Sequence, residues 1–273
     1  MRPSITFTPR RSIFAPLVLS EDLEAAFKTA AEFGYEGLEI MLREAGQLDA
    51  RELQRMIRRY GVQIAALGTG LAYVEDGLGF THPDAAVREA AIARVRGHLE
   101  LGGILGAPVI LGLIRGQCGH DAGRADRVDW QLSATAACAR VARELDSTLL
   151  VEPINRYEMD NMNRVEECLA FVNRLGEDNV RLLVDTFHMN IEEVDISASL
   201  REAASVLGHV HLADSNRWAP GFGHTDLAAV LRTLRQVGYA GFLSLEVLPR
   251  PTALEAAAQG RKFFEEARAH GLM

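Results

Sequence analysis

The chain has 273 residues, with 29 Lys and Arg against 37 Asp and Glu and a formal net charge of −8 at pH 7. That balance argues against nucleic acid or an anionic membrane surface as the main partner, since both select for a basic face. With 48% hydrophobic and 24% charged residues, the composition is that of an ordinary globular chain, neither disordered nor fibrous.

Short aliphatic or β-branched runs alternate with longer segments whose apolar residues recur at three and four, the pattern of βα units around a parallel sheet. Eight strand-like runs follow one another. The first is 5–8 or 12–15, then come 37–42, 63–67, 108–113, 148–153, 180–185, 209–213 and 242–247. Helical segments fill the intervals. Ser20 with Glu24, Asp84, and Thr225 with Asp226 are placed as N-terminal caps. Gly34, Gly61, Gly106 and Gly238 are placed where a helix turns out toward the next strand. The Gly-rich stretch 68–80, carrying Leu71, Tyr73 and Phe80, is expected to wall or cover a ligand, its plainer reading being a flexible connection.

Eight strand–helix repeats of about 25–45 residues, without a Pro/Ser linker, specify an α/β fold: a single (β/α)₈ barrel, which typically occupies about 250 residues as one domain. The domain spans residues 1–273. A doubly wound open sheet fits less well, because no G-x-G-x-x-G follows the first strand. Cys118, Cys138 and Cys168 are odd in number and widely spaced, which suggests neither a disulfide framework nor a zinc knuckle and favours a reducing compartment. Pro16 interrupts the apolar stretch 13–19 and no small-residue cleavage site follows it, so no signal peptide is read. No window approaches about 18 consecutive apolar residues. The expected location is the cytoplasm, without membrane contact.

Barrel enzymes carry their catalytic groups at the C-terminal ends of the strands. There the last four runs each bring one ionisable side chain, Glu152, Asp185, His211 and Glu246, spaced by 33, 26 and 35 residues. Each spacing is one βα unit, so four consecutive strands would converge these groups on one mouth. Taken singly, any of the carboxylates reads equally well as a solvated loop residue or a helix cap. Together, three carboxylates and an imidazole would repel and lose hydration unless a divalent cation neutralised them. The oxygen-and-nitrogen set suits one Mn²⁺, with Co²⁺, Mg²⁺ or Fe²⁺ as alternatives. Asn155, Arg156 and Glu158, then His188, then Arg217 add polar groups that can hold the hydroxyls of a polyol.

The runs Val151-Glu152-Pro153-Ile154-Asn155-Arg156-Tyr157-Glu158, Val184-Asp185-Thr186-Phe187-His188-Met189-Asn190 and Val210-His211-Leu212-Ala213-Asp214-Ser215-Asn216-Arg217, with Leu245-Glu246-Val247, carry a family resemblance. They resemble the xylose-isomerase-like TIM barrel superfamily, and within it the ketose 3-epimerases of the D-tagatose 3-epimerase type. The resemblance implies that Glu152, Asp185, His211 and Glu246 bind one divalent metal, and that Glu158, His188 and Arg217 contact a sugar. It also implies a homodimer or homotetramer.

The chemistry then follows from residue types. A polarised ketose carbonyl acidifies the adjacent C–H, and the metal stabilises the cis-enediolate. If Glu152 and Glu246 lie on opposite sides of the sugar, one removes the C3 proton and the other returns a proton to the opposite face. Proton movement between C1 and C2 would make the chain an aldose–ketose or hydroxypyruvate isomerase instead, and loss of a β-hydroxyl an inosose-type dehydratase. A sugar-binding barrel needs no second base. The abasic-site endonucleases of the same superfamily need further His and Asp ligands on earlier strands, where this chain has Leu67-Gly68-Thr69-Gly70 and Leu111-Gly112-Leu113.

Of the remaining groups, His224 with Asp226 is placed as a loop and helix cap rather than a second metal site. His82, His98, His120, His209 and His270 are taken as structural or surface residues without partners at metal spacing. Arg115 reads equally as a side wall of the mouth or a solvated loop residue. Trp218 is a candidate for changing pocket depth.

Overall fold

The computed structural model describes residues 1–12 and 16–273. The alternative first strand at 12–15 falls mostly outside the described residues, and the first strand is instead β1 (Arg2–Thr8). After it come β2 (Leu19–Ser20), β3 (Gly37–Met41), β4 (Gln63–Gly68), β5 (Val109–Leu111), β6 (Leu149–Val151), β7 (Val180–Asp185), β8 (Leu207–Leu212) and β9 (Phe242–Leu245). β1 and β3 to β9 pair in parallel in chain order, and β9 pairs back onto β1 from Arg2 with Phe242 to Ile5 with Leu245. Eight strands therefore close a barrel. β2 is a two-residue addition that pairs with Phe7 and Thr8, along the edge of β1 that β9 leaves free beyond Ile5.

The helices are α1 (Leu23–Glu32), α2 (Ala50–Tyr60), α3 (Gly70–Asp76), α4 (Ala85–Leu105), α5 (Arg124–Glu144), α6 (Val165–Leu175), α7 (Thr186–Glu192), α8 (Ile196–Ala203), α9 (Leu227–Gln236) and α10 (Ala253–Ala269). Asp84 and Asp226 cap α4 and α9 by accepting from Ala86 N and Ala229 N. The cap of α1 is Asp22, which accepts from Ala25 N; Ser20 is taken up by its pairing with Thr8. Gly34, Gly61, Gly106 and Gly238 all have φ between 66° and 75°, the left-handed exit that residues without Cβ adopt freely. The stretch 68–80 is built around α3, which brings Leu71 to the mouth and leaves Phe80 in the main apolar core. No helix among the described residues is long and apolar enough to cross a membrane.

The barrel interior is divided. Ala66, Ile110, Leu150 and Leu183, from β4 to β7, form one packed aliphatic cluster. On the other side, β1, β3, β8 and β9 bury Ser4, Thr6, Glu39, His209, His211 and Ser244. Glu39 touches both histidines although β3 and β8 are not neighbours in the sheet, so this contact crosses the lumen. Leaving such buried polar groups unpaired costs about 1–3 kcal/mol each, which is why the polar half is knit together: Ser4 Oγ to Ser244 Oγ, His209 Nε2 to Ser244 Oγ at 3.2 Å, and Thr6 Oγ1 donating to Leu245 O at 3.0 Å.

Candidate active site

Glu152 follows β6 directly, Asp185 ends β7, His211 is the penultimate residue of β8, and Glu246 follows β9. All four are buried at the C-terminal mouth, the most accessible, Glu152, by only 6%. Asp185 Oδ1 caps α7 by accepting from Phe187 N at 2.8 Å, which leaves Oδ2 free to face the neighbouring Glu152, His188 and His211. His211 Nδ1 lies 3.5 Å from Glu152 Oε1 and 3.7 Å from Glu246 Oε2. Glu152, Asp185 and His211 offer ligand atoms within 4.8 Å of one another. Glu246 stands just outside that group, its Oε2 accepting from Arg217 Nη2 at 2.7 Å.

Asp185 Oδ2 and His211 Nδ1 are buried without a hydrogen-bond partner. Carboxylate oxygens beside an imidazole nitrogen are donors for a borderline or hard divalent cation, and an ion would satisfy both orphan atoms. The residues therefore fit the metal expected of them. Burial pushes the Asp185 carboxyl up to about 6 against the pull of Arg217 and His211. Burial likewise pushes Glu246 up to about 8, with Glu152 and Asp185 adding to it and His211 and Arg217 opposing. For His211 burial acts downward, but Glu39, Glu246 and Glu152 outweigh it and hold the imidazole well above its ordinary value.

His188 accepts from Asn155 Nδ2 on Nδ1 at 2.7 Å, which assigns the proton to Nε2. That nitrogen stands 3.7 Å from Asp185 Oδ2 and 3.9 Å from Glu152 Oε1. Burial first, then Arg217 and His211, hold this imidazole well below its ordinary value, so it is a neutral donor. Arg217 spans two carboxylates, Glu246 through Nη2 and Glu158 through Nη1 at 3.0 Å, and its guanidinium lies 4.8 Å from the Phe187 ring centroid. Its backbone has φ of 60°, a conformation costing a non-glycine residue about 1 kcal/mol. Asp214 holds the loop that imposes it, accepting from Ser215 N, Gly221 N and Thr225 N at 2.8, 2.8 and 3.0 Å.

The pocket is completed by Met41 of β3, Ile110 of β5, Leu71 of α3, and Leu113 and Ile154 from the segments after β5 and β6, which together form an apolar wall. Trp218 does not line it and packs edge-on against Phe222. Arg156 is held by Glu192 at 2.8 Å. Arg115 is neither side wall nor solvated: it is 1% exposed and donates to the carbonyls of Glu152, Asn161 and Met162. His224 bonds Ser215 at 2.9 Å at the surface. His98 is a core residue bound to Arg94 O and Leu42 O, whereas His209 has partners in Glu39 and His211. The spacing of ionisable residues does not point to Glu39, a lone carboxylate within Gly37-Leu38-Glu39-Ile40-Met41. A charge inside a buried parallel strand was the available clue. Burial would raise its pKa, but His211 and His209 outweigh that and hold it far below the carboxylate range.

The sequence profile of the xylose isomerase-like TIM barrel family matches residues 27–267. An L-ribulose 3-epimerase of Mesorhizobium japonicum is 33% identical over 228 residues, 82% of this chain and 75% of that one. An L-ribulose 3-epimerase of Methylomonas sp. (strain DH-1) is 31% identical over 238 residues, 84% of this chain and 82% of that one. A crystal structure of D-allulose 3-epimerase from Methylomonas sp. has a TM-score of 0.82 at 25% identity, with 97% of this chain and 98% of that one covered. Closed barrel, clustered strand-end carboxylates and imidazole, and a profile match over most of the length agree: this chain belongs to the xylose isomerase-like TIM barrel family.

Proposed function

We propose that this protein is a divalent-metal-dependent sugar epimerase that inverts C3 of a free ketose. The observation that carries this reading is the pair Glu152 and Glu246, which reach the same His211 nitrogen from β6 and β9, strands separated by two others. Simple sugar binding does not call for two carboxylates brought from separate strands to one imidazole nitrogen. The relatives named above, as L-ribulose and D-allulose 3-epimerases, support the same chemistry.

Glu152, Asp185, His211 and Glu246 would hold one Mn²⁺, or Co²⁺, Mg²⁺ or Fe²⁺ in its place. When bound, such an ion polarises the ketose carbonyl and acidifies the neighbouring C–H. Glu152 and Glu246 serve as the two proton-transfer groups, one withdrawing the C3 proton and the other delivering a proton to the opposite face, with their order set by the substrate epimer. The neutral His188 donates from Nε2 and Arg217 supplies fixed positive charge to the developing oxyanion. Glu158, shared between Arg217 and Asn155, accepts from a sugar hydroxyl. The apolar wall limits water around the reacting carbons.

Incubation of the Mn²⁺-loaded protein in D₂O with a panel of free ketoses, followed by NMR, tests the assignment. Deuterium at C3 with appearance of the epimer is the expected result. Label at C1 or C2 with an aldose product would make the chain an isomerase, and net loss of water would make it a dehydratase. By the same resemblance the protein would be a homodimer or homotetramer, a state that sedimentation velocity measures directly, and its three unpaired cysteines favour a reducing, cytoplasmic location.

A further inference from the structure

We propose that Glu39 is a positioning residue for the cation site: with His209, it fixes the ring of His211 and its proton on Nε2, so that Nδ1 is presented bare to Glu152, Asp185 and Glu246. The proposal rests on reading those residues as the cation's ligands.

The geometry is a relay across the lumen. Glu39 Oε1 is 2.9 Å from His211 Nε2, and Oε2 accepts from His209 Nε2 at 2.7 Å. His209 lies two residues before His211 on β8, so both rings face the interior, 5.4 Å apart and nearly perpendicular. Nε2 of His209 is also 3.2 Å from Ser244 Oγ, and Ser244 bonds to Ser4. Glu39, His209 and Ser244 do not line the cavity, so none of them is placed to touch a substrate. A carboxylate fully removed from water is costly unless its charge is met, and here the two imidazoles meet it.

An imidazole has two neutral tautomers, and a ligand bound through Nδ1 needs the one with its proton on Nε2. A carboxylate at Nε2 selects that tautomer and locks the ring's rotation. His209 occupies the second oxygen of Glu39 and keeps the carboxylate from turning away. Glu39, His209 and His211 could also be read as a cation site of their own. Their nitrogen–oxygen separations of 2.7 and 2.9 Å are shorter than the spacing of about 3 Å or more between two ligands of one ion at about 2.1 Å; the His209 contact is a hydrogen bond, while Glu39 Oε1 and His211 Nε2 meet as a close ion-pair contact outside hydrogen-bond alignment.

The test is metal binding rather than turnover. Metal-free wild-type, Glu39→Gln and His209→Gln proteins are titrated with Mn²⁺ by calorimetry and with Co²⁺ by visible absorption, with circular dichroism as the check on folding. Wild type should take up one equivalent. Glu39→Gln should bind about 10–100-fold more weakly with a shifted Co²⁺ spectrum, and His209→Gln should show a smaller loss. Should the variants not fold, ¹⁵N-histidine NMR of the Zn²⁺-loaded wild type reads the tautomer directly, with His211 protonated on Nε2 as the expected result. Unchanged affinity and spectrum in folded Glu39→Gln, or a His211 proton on Nδ1, overturns the proposal and spares the ligand assignment. Two equivalents in wild type falling to one in Glu39→Gln overturns it in favour of a second cation site. No binding to wild type overturns both.

Discussion

Arg217 Nη2 donates to Glu246 Oε2 at 2.7 Å, and the same nitrogen lies 4.0 Å from Asp185 Oδ2. The guanidinium thus leans on two carboxylates assigned to a cation, as their competing positive charge.

Arg217→Met should therefore separate binding from chemistry. Without the guanidinium, Glu246 and Asp185 are freer to meet the ion, and Mn²⁺ affinity should rise several-fold. Turnover should fall by about 10²–10³, the usual cost of losing one preorganised electrostatic donor. Calorimetry and C3 deuterium exchange measured on the same preparation check the two opposite signs. A parallel loss of both would show that Arg217 supports the ligands instead.

Glu246→Gln keeps the size of the side chain and its contact with Arg217 while removing the base. C3 exchange should drop by at least about 10² relative to wild type, with the melting temperature of the metal-free chain unchanged or raised, because the variant no longer buries an ionisable carboxyl. Exchange at the wild-type rate would remove Glu246 from the mechanism.

Metal binding should become tighter as pH rises. A carboxyl whose folded pKa lies above its unfolded one keeps its proton where the unfolded chain has lost it. Glu246 near 8 and Asp185 near 6 therefore make the metal-free fold less stable as pH climbs from about 4 to about 8. A cation needs both groups deprotonated and His211 neutral, so binding releases protons. The gap in melting temperature between Mn²⁺-loaded and metal-free protein should widen from pH 6 to pH 8. A constant or narrowing gap would contradict the ligand set.

Gly112→Ala probes the floor of the pocket. A Cβ there would sit 2.8 Å from Glu152 Oε2, so the carboxylate must move. Loss of Mn²⁺ affinity and of C3 exchange is expected in a folded protein. Arg115→Met should act differently. It strands the carbonyls of Glu152 and Asn161 in the interior, Met162 O keeping Ile154 N as donor, and should destabilise the fold by about 3–5 kcal/mol in urea unfolding.

The barrel was legible because parallel strands buried on both faces read as aliphatic runs, and because glycine ends so many of the helices. The run 180–185 coincides with β7, while 108–113 and 148–153 shrink to three residues each, their ends going into the loops that carry the site. Glu152, Asp185, His211 and Glu246 could be picked out since each occupies a strand end at a regular interval. What spacing does not encode is contact across the lumen: Glu39 and His209 are 170 residues apart. Arg115 was undecided for a related reason, since the carbonyls that bind it belong to the loop after β6.

The seam between β1 and β9 also governs when the site can exist. Ser4 meets Ser244 across 240 residues, and Glu246 directly follows β9, the last of the barrel strands in chain order. During synthesis at about 5–20 residues per second, the nascent chain must carry β1 and β8 as open edges until β9 emerges. Such long-range closure makes for slow folding. The cation pocket is accordingly a late product of biogenesis, absent from any chain that stops short of β9.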